Sequence, residues 1–389
     1  MPTLVNPAIE SPSEAAAVGM CAERLERACA FVERAVVTGA LPLATVLIAR
    51  RGRIVAHRSY INPSLAERGY ALQPDSLYYL ASFTKMLVAT LVMQQVEQGE
   101  IGLGQAVKDY LPEFGQRGKR AVTVRQLLAH ASGLPEELNL PIETMLPVAE
   151  LVALICEQPL VFAPGSRSSY CTWGYVLLAE ILQRLTGRSL EALGREALFQ
   201  PLGMANSCFG TAGVESRVIP IFTPALDLHH TFNRPDVLAL VRGDTGAYST
   251  AADLFRFCQM TLDGGRAGGC CLLSPVSMQR MLERQFAWCD TPERLADGSP
   301  EQLTTLSKGL GWQVRGEALF RGSDLMSARA YFHGGHMGMR AVVDPEYDLI
   351  SIFLSSVVAT EGYVPAHLGR PGQIIHRFGT MASAAIVEL

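Results

Sequence analysis

No run of apolar residues in this chain approaches the length of a membrane span, which excludes a bilayer-crossing helix from the reading. No basic tract is present either. With a formal net charge of -4, nucleic acid is not an expected partner. Residues 1–20 include Glu10 and Glu14 and lack a basic region followed by an apolar core, so no secretory signal is read. The nine cysteines are odd in number, Cys270 and Cys271 are adjacent, and no pair has zinc-finger spacing. That usage points to free thiols in a reducing cytoplasm rather than to disulfides. Internal repeats and low-complexity tracts are also missing.

What is there is an ordinary globular composition, 389 residues with 49% hydrophobic and 18% charged. That length makes one large domain or two intimately joined ones, with a core that needs neither disulfides nor a structural metal. Residues 1–17, with Pro2, Pro7 and Pro12, read as a flexible N-terminal arm. Leu25, Ala28, Cys29, Phe31, Val32 and Val36 recur at helical spacing and predict a helix over 20–37. Runs at 44–49 and 53–57 flank Arg51-Gly52 and predict a β-hairpin.

From 102 to 257 the pattern is mostly helical, with helices expected at 124–130, 148–157, 173–185 and 251–263. Strand character returns at 311–314, 328–332, 339–343 and 349–354, and a last helix is expected over 372–386. Strands thus fall at both ends of the sequence. The expected fold is α+β: an antiparallel sheet flanked by helices, made by both ends of the chain (18–100 and 300–389), with a mainly helical domain inserted (101–299). A site is then expected between the two, where pockets tend to form.

The chemistry starts at Ala81-Ser82-Phe83-Thr84-Lys85, which opens a long apolar run. Ser82 and Lys85 are three apart, so on a helix they share a face one turn apart. A serine needs a base to become a nucleophile, and a lysine held in an apolar site can serve. The bland alternative is a serine N-cap followed by a solvated lysine. Tyr170 follows Phe162-Ala163-Pro164-Gly165 on a loop at a helix start, where it can share a proton with Ser82 and Lys85. The commoner fate of such a tyrosine is the rim of a core. Tyr331-Phe332-His333-Gly334-Gly335-His336 places paired glycines at a strand end, where backbone can approach a ligand and an N–H can meet a developing oxyanion beside that of Ser82. His333 and His336 lack an acidic or thiol partner at ligand spacing, so no metal is expected.

Together, in this order and spacing, these clusters resemble the serine β-lactamase-like superfamily, in its branch of class C β-lactamase-type esterases (family VIII carboxylesterases). The likeness runs over about residues 41 to 354 and includes Leu127-Leu128-Ala129-His130-Ala131-Ser132-Gly133-Leu134, Gln200-Pro201-Leu202-Gly203-Met204 and Gly246-Ala247-Tyr248-Ser249-Thr250. The resemblance implies that Ser82 is the acylated nucleophile and that Lys85 and Tyr170 act as general base and then general acid. It implies an oxyanion hole from the backbone N–H groups of Ser82 and His336. His333, Gly334, Gly335 and Thr172 are then expected at the substrate, with no cofactor.

Two departures bear on the substrate. Where β-lactamases and peptidases of this superfamily carry Tyr-x-Asn, this chain has Tyr170-Cys171-Thr172, and Thr172 lacks an amide to grip a substrate amide. Where they carry Lys-Thr-Gly, this chain has His333-Gly334-Gly335. The expected activity is therefore hydrolysis of carboxylic esters through an acyl-serine. The alternative is acyl transfer to an alcohol from the same intermediate, with β-lactamase or D-aminopeptidase activity and a non-catalytic scaffold ranked below. The expected partner is a small-molecule ester or acyl donor, in the cytoplasm, with no membrane. No oligomeric state is read. Residues 213–242, with His229, His230 and Phe232, are expected to shape the pocket.

Overall fold

The computed structural model describes residues 12–136, 138, 145–223, 225–228, 231–286, 307–316, 323–357 and 371–389. Its organising element is a seven-stranded antiparallel sheet. The strands are β1 (Leu43–Arg50), β2 (Arg53–Ile61), β3 (Ser307–Lys308), β4 (Gln313–Val314), β5 (Tyr331–Gly335), β6 (Met339–Asp344) and β7 (Leu349–Ser355). Their order is β2-β1-β7-β6-β5-β4-β3. The N-terminal hairpin therefore pairs with the last strand, Val46 opposite Phe353, and both ends of the chain close into one sheet.

All residues of β1 and β7 are buried, so both faces of the sheet centre are covered. This matches their near-continuous apolar sequence rather than an alternating one. On one face lie α2 (Ala22–Val37) and the C-terminal helix α8 (Pro371–Ala384), with Leu25, Val32, Ile48, Phe353 and Phe378 in a shared core. The other face carries α7 (Ala251–Leu262), which packs on β1, β6 and β7. The expected helical insert 101–299 included this helix. Periodicity correctly marks it as a helix, and its Phe257 and Cys258 face the sheet side of the larger core.

The chain between the two sheet halves contributes α6 (Trp173–Thr186), which packs on α3 (Thr84–Glu97), and α4 (Val124–Leu128) and α5 (Val148–Glu157), which pack on α6. Every residue of α3 from Thr84 to Met93 is buried. A helix apolar on all sides belongs in the middle of a protein, and α3 runs through the larger core. The expected flexible arm needs correcting at its C-terminal end. Pro12–Ala17 forms helix α1, with Ala15 and Val18 buried. Proline suits the first turn and the three alanines that follow favour helix, so a proline-based reading of this stretch misses it. Buried Arg50 holds the segment by donating to the carbonyls of Val18 (2.8 Å) and Gly19 (3.0 Å). Residues 1–11 lie outside the described residues.

Candidate active site

Ser82 sits in a 3-10 turn, Ala81–Phe83, at the head of α3 rather than inside it. Ala81 takes a left-handed backbone (φ 45°), which turns the chain into the helix. The turn is anchored from the insert side. Leu80 N–H donates to Ala247 O at 2.9 Å, and Ala247 N–H donates to Thr84 Oγ1 at 3.1 Å. From the sheet side, β5 packs directly on the turn. A Cβ on Gly335 would lie 2.4 Å from Leu80 O, so only glycine permits that approach.

Lys85 is fully buried. Its Nζ lies 3.1 Å from Ser82 Oγ and donates to Asp244 O at 2.9 Å. That carbonyl is fixed in turn, because the buried Asp244 carboxylate accepts from Arg242 Nε (3.0 Å) and Nη2 (2.7 Å). Burial works against the Asp244 charge, but Arg242, helped by Lys85, keeps its carboxyl below the ordinary range. The pair is thus a rigid charged strut behind the lysine.

Tyr170, on the loop before α6, is brought to the same place. Its ring centre is 5.3 Å from Lys85 Nζ, 4.6 Å from the His130 ring and 6.4 Å from the His333 ring. A second ammonium, Lys308 on the edge strand β3, stands 5.4 Å from the same ring and is also buried. Cations this close to an aromatic face are attracted by about 0.5–2 kcal/mol, more as they are desolvated. Tyr175, one turn into α6, donates to Leu128 O at 2.8 Å and lies 5.9 Å from Lys85 Nζ.

Two imidazoles frame the tyrosine. His130 Nδ1 lies 3.1 Å from the N and 3.0 Å from the O of Cys171. The amide can only donate, so Nδ1 accepts. Burial, reinforced by Lys308 and Lys85, pushes the His130 pKa well below its ordinary value and keeps the ring neutral. His333 is equally buried, and burial together with Lys85 pushes its pKa down to about 3. Of the remaining expected residues, Gly334 and Gly335 end β5 and His336 begins the turn that follows. Thr172 stands at the head of α6, where its carbonyl accepts from Tyr175 N–H and its side chain makes no capping bond.

Beside the serine turn, Ala81, Ile221 and Met337 pack together against Tyr79 and Phe232. Next to them is a cavity of about 100 Å³ lined by Tyr79, Ile221, Phe232, Leu240 and Tyr248 among others, mostly apolar. The expected pocket segment 213–242 does supply part of this wall, while His229 and His230 lie outside the described residues. Sequence reading did not single out His130, Tyr175, Asp244 or Lys308. A signal existed only for His130, inside the quoted Leu-Ala-His-Ala-Ser-Gly-Leu phrase. Nothing in Ser307-Lys308-Gly309 marks Lys308, since its place beside Tyr170 depends on sheet closure.

An antiparallel sheet with helices on both faces, and a half-buried serine beside a fully buried lysine one helical turn on, define a protein of the serine hydrolase superfamily. More particularly, the chain belongs to the Beta-lactamase family, whose model matches residues 28–370. A relative in Escherichia coli strain K12, named "Putative D-alanyl-D-alanine carboxypeptidase", is 25% identical over 387 residues, spanning 89% of this chain and 84% of that protein. Among solved structures, EstCE1, a hydrolase with promiscuous acyltransferase activity, superposes with a TM-score of 0.74 at 20% identity, over 94% of this chain and 99% of the other. A family VIII carboxylesterase superposes with a TM-score of 0.71 at 22% identity, over 92% of this chain and 99% of the other. Likenesses of this kind carry the fold. Among the described residues, no helix is long and apolar enough to cross a membrane.

Proposed function

We propose that this protein hydrolyses carboxylic esters through an acyl-Ser82 intermediate. The observation that carries the reading is the buried Lys85 Nζ, 3.1 Å from Ser82 Oγ and 5.3 Å from the Tyr170 ring. Ser82 Oγ attacks the ester carbonyl as its proton passes to the Lys85–Tyr170 pair. The tetrahedral oxyanion is met by the N–H groups of Ser82 and His336. Collapse breaks the bond to the alkoxide, which leaves with the proton from Tyr170. Water then adds to the acyl carbonyl, giving up a proton to the same pair, and the acid is released as Ser82 recovers its hydrogen.

The choice of ester is supported by the partners of the serine. Neutral His333 supplies no charge to attract a carboxylate, and Thr172 offers no amide. The apolar cavity beside Ala81 and Met337 suits a short aliphatic acyl group. The competing reading, suggested by the name of the Escherichia coli relative, is a D-alanyl-D-alanine carboxypeptidase. Acyl transfer to an alcohol shares every step up to acyl-Ser82. A cytoplasmic setting is part of the proposal, supported by free thiols at every described cysteine, Cys270 and Cys271 among them.

Steady-state turnover separates the readings. p-Nitrophenyl butyrate should be hydrolysed with kcat/KM at least about a hundredfold above that for a chromogenic cephalosporin or a D-alanyl-D-alanine peptide, a gap of the size set by partners left unpaired at the site. Equal or faster turnover of the peptide would replace the esterase reading by the peptidase one.

A further inference from the structure

His333 carries an unmet acceptor. Its side chain is 2% exposed. The ring nitrogen Nδ1 lies 2.8 Å from Gly334 O, and a carbonyl can only accept, so Nδ1 holds the proton. The neutral ring then has a lone pair at Nε2. That atom is buried and has no hydrogen-bond partner among the described residues. Leaving such a group unpaired costs about 1–3 kcal/mol, and native proteins rarely tolerate it without a use.

The position of the orphan gives it a meaning. The His333 ring is 6.4 Å from that of Tyr170, the residue that hands its proton to the departing alcohol in the proposed reaction. Lys85 is near enough to act on the His333 charge. The His333 ring therefore stands on the Tyr170 side of the site, where the departing alcohol receives its proton in the proposed reaction. A carboxylate there would present only acceptors to an acceptor. A plain hydrocarbon alcohol would bury the lone pair a second time.

We propose that the alcohol half of the substrate carries its own hydrogen-bond donor, a hydroxyl or amine within a few bonds of the ester oxygen, and that His333 Nε2 accepts it. The substrate class is then an ester of a polyol or amino alcohol. The same subsite receives such a molecule when it acts as acyl acceptor. This rests on the acyl-Ser82 reading and narrows it to one kind of leaving group.

The test compares 2-hydroxyethyl butyrate with propyl butyrate, two esters of the same size that differ by a hydroxyl in place of a methyl. In the wild-type protein kcat/KM should favour the hydroxyethyl ester by about tenfold or more, the ratio expected when a buried partner is otherwise left unpaired. His333→Leu should bring the ratio close to one. His333→Gln, which keeps an acceptor oxygen, should retain part of the preference. Because each ratio is taken within one protein, a general loss of activity does not alter it. A wild-type ratio near one, or a preference that survives in His333→Leu, overturns the proposal. Absence of butyryl transfer from both esters and from p-nitrophenyl butyrate in the wild type overturns instead the acyl-serine reading beneath it.

Discussion

Lys85→Met is expected to lower ester turnover by roughly a thousandfold or more, the upper part of the range for removing a positioned acid–base group. The expected melting temperature is unchanged or higher. Both halves follow from the same geometry. Nζ is the atom placed at Ser82 Oγ, and methionine can neither relay the serine proton nor support Tyr170 in the pair that receives it. Methionine nonetheless nearly fills the lysine's volume in a site where every neighbouring α3 residue is buried. The substitution removes an ammonium from the interior and leaves Asp244 O without its 2.9 Å donor. Among the described residues Lys85 forms no ion pair in the interior, so a packed apolar group in place of its desolvated amine offsets the lost hydrogen bond. A burst of p-nitrophenol measured against a melting curve reads both. A burst of wild-type amplitude and rate in Lys85→Met would remove the lysine from the chemistry.

Gly335→Ala is expected to cut kcat/KM about a hundredfold and to destabilise the fold by about 1–3 kcal/mol, the usual range for overpacking. The added Cβ would lie 2.4 Å from Leu80 O and 3.2 Å from Ala81 Cβ, both in the segment leading into Ser82. Neither contact can be relieved by rotating a side chain. Relief must come from moving β5 away from the serine turn, which also moves His333 and the His336 amide relative to Ser82. Gly372→Ala is the control. It lies in the first turn of α8, where an added Cβ meets nothing within 4 Å, so it should leave activity unchanged and stability level or slightly raised. Equal behaviour of the two variants in kinetics and melting would show that the strand end does not set the serine turn.

The parts of this structure legible in the sequence are those with a local signature. The β1 and β7 runs are apolar along their whole length, and the glycine at Arg51-Gly52 marks the hairpin between β1 and β2. Ser82 and Lys85 lie one turn apart whatever surrounds them, and the 3-10 turn shifts the start of α3 without separating them. Layer assignment was less legible. The amphipathic pattern of α7 marks it as a helix with a buried face, but which surface that face meets depends on β1, β6 and β7, far away in the chain.

The rest of the site was hidden for the same reason. His130 takes its fixed orientation from Cys171, 41 positions away, and nothing around His130 shows that Cys171 N–H will reach Nδ1. Lys308 lies on a two-residue edge strand, too short for any periodicity, and becomes a neighbour of Tyr170 only when the sheet is complete. His333 is expected at the substrate only through the family resemblance of His333-Gly334-Gly335. Its neutrality and its unmet Nε2 come from burial, which is a property of the fold.

The central claim is that Ser82 carries the acyl group. It is tested most directly by mixing the protein with p-nitrophenyl butyrate, quenching in acid within the burst, and locating the adduct by peptide mass spectrometry. The account predicts one butyryl group on the peptide containing Ser82, and none in Ser82→Ala. No adduct during turnover, or an adduct on another nucleophile such as the exposed Cys270 or Cys271 that persists in Ser82→Ala, would contradict it.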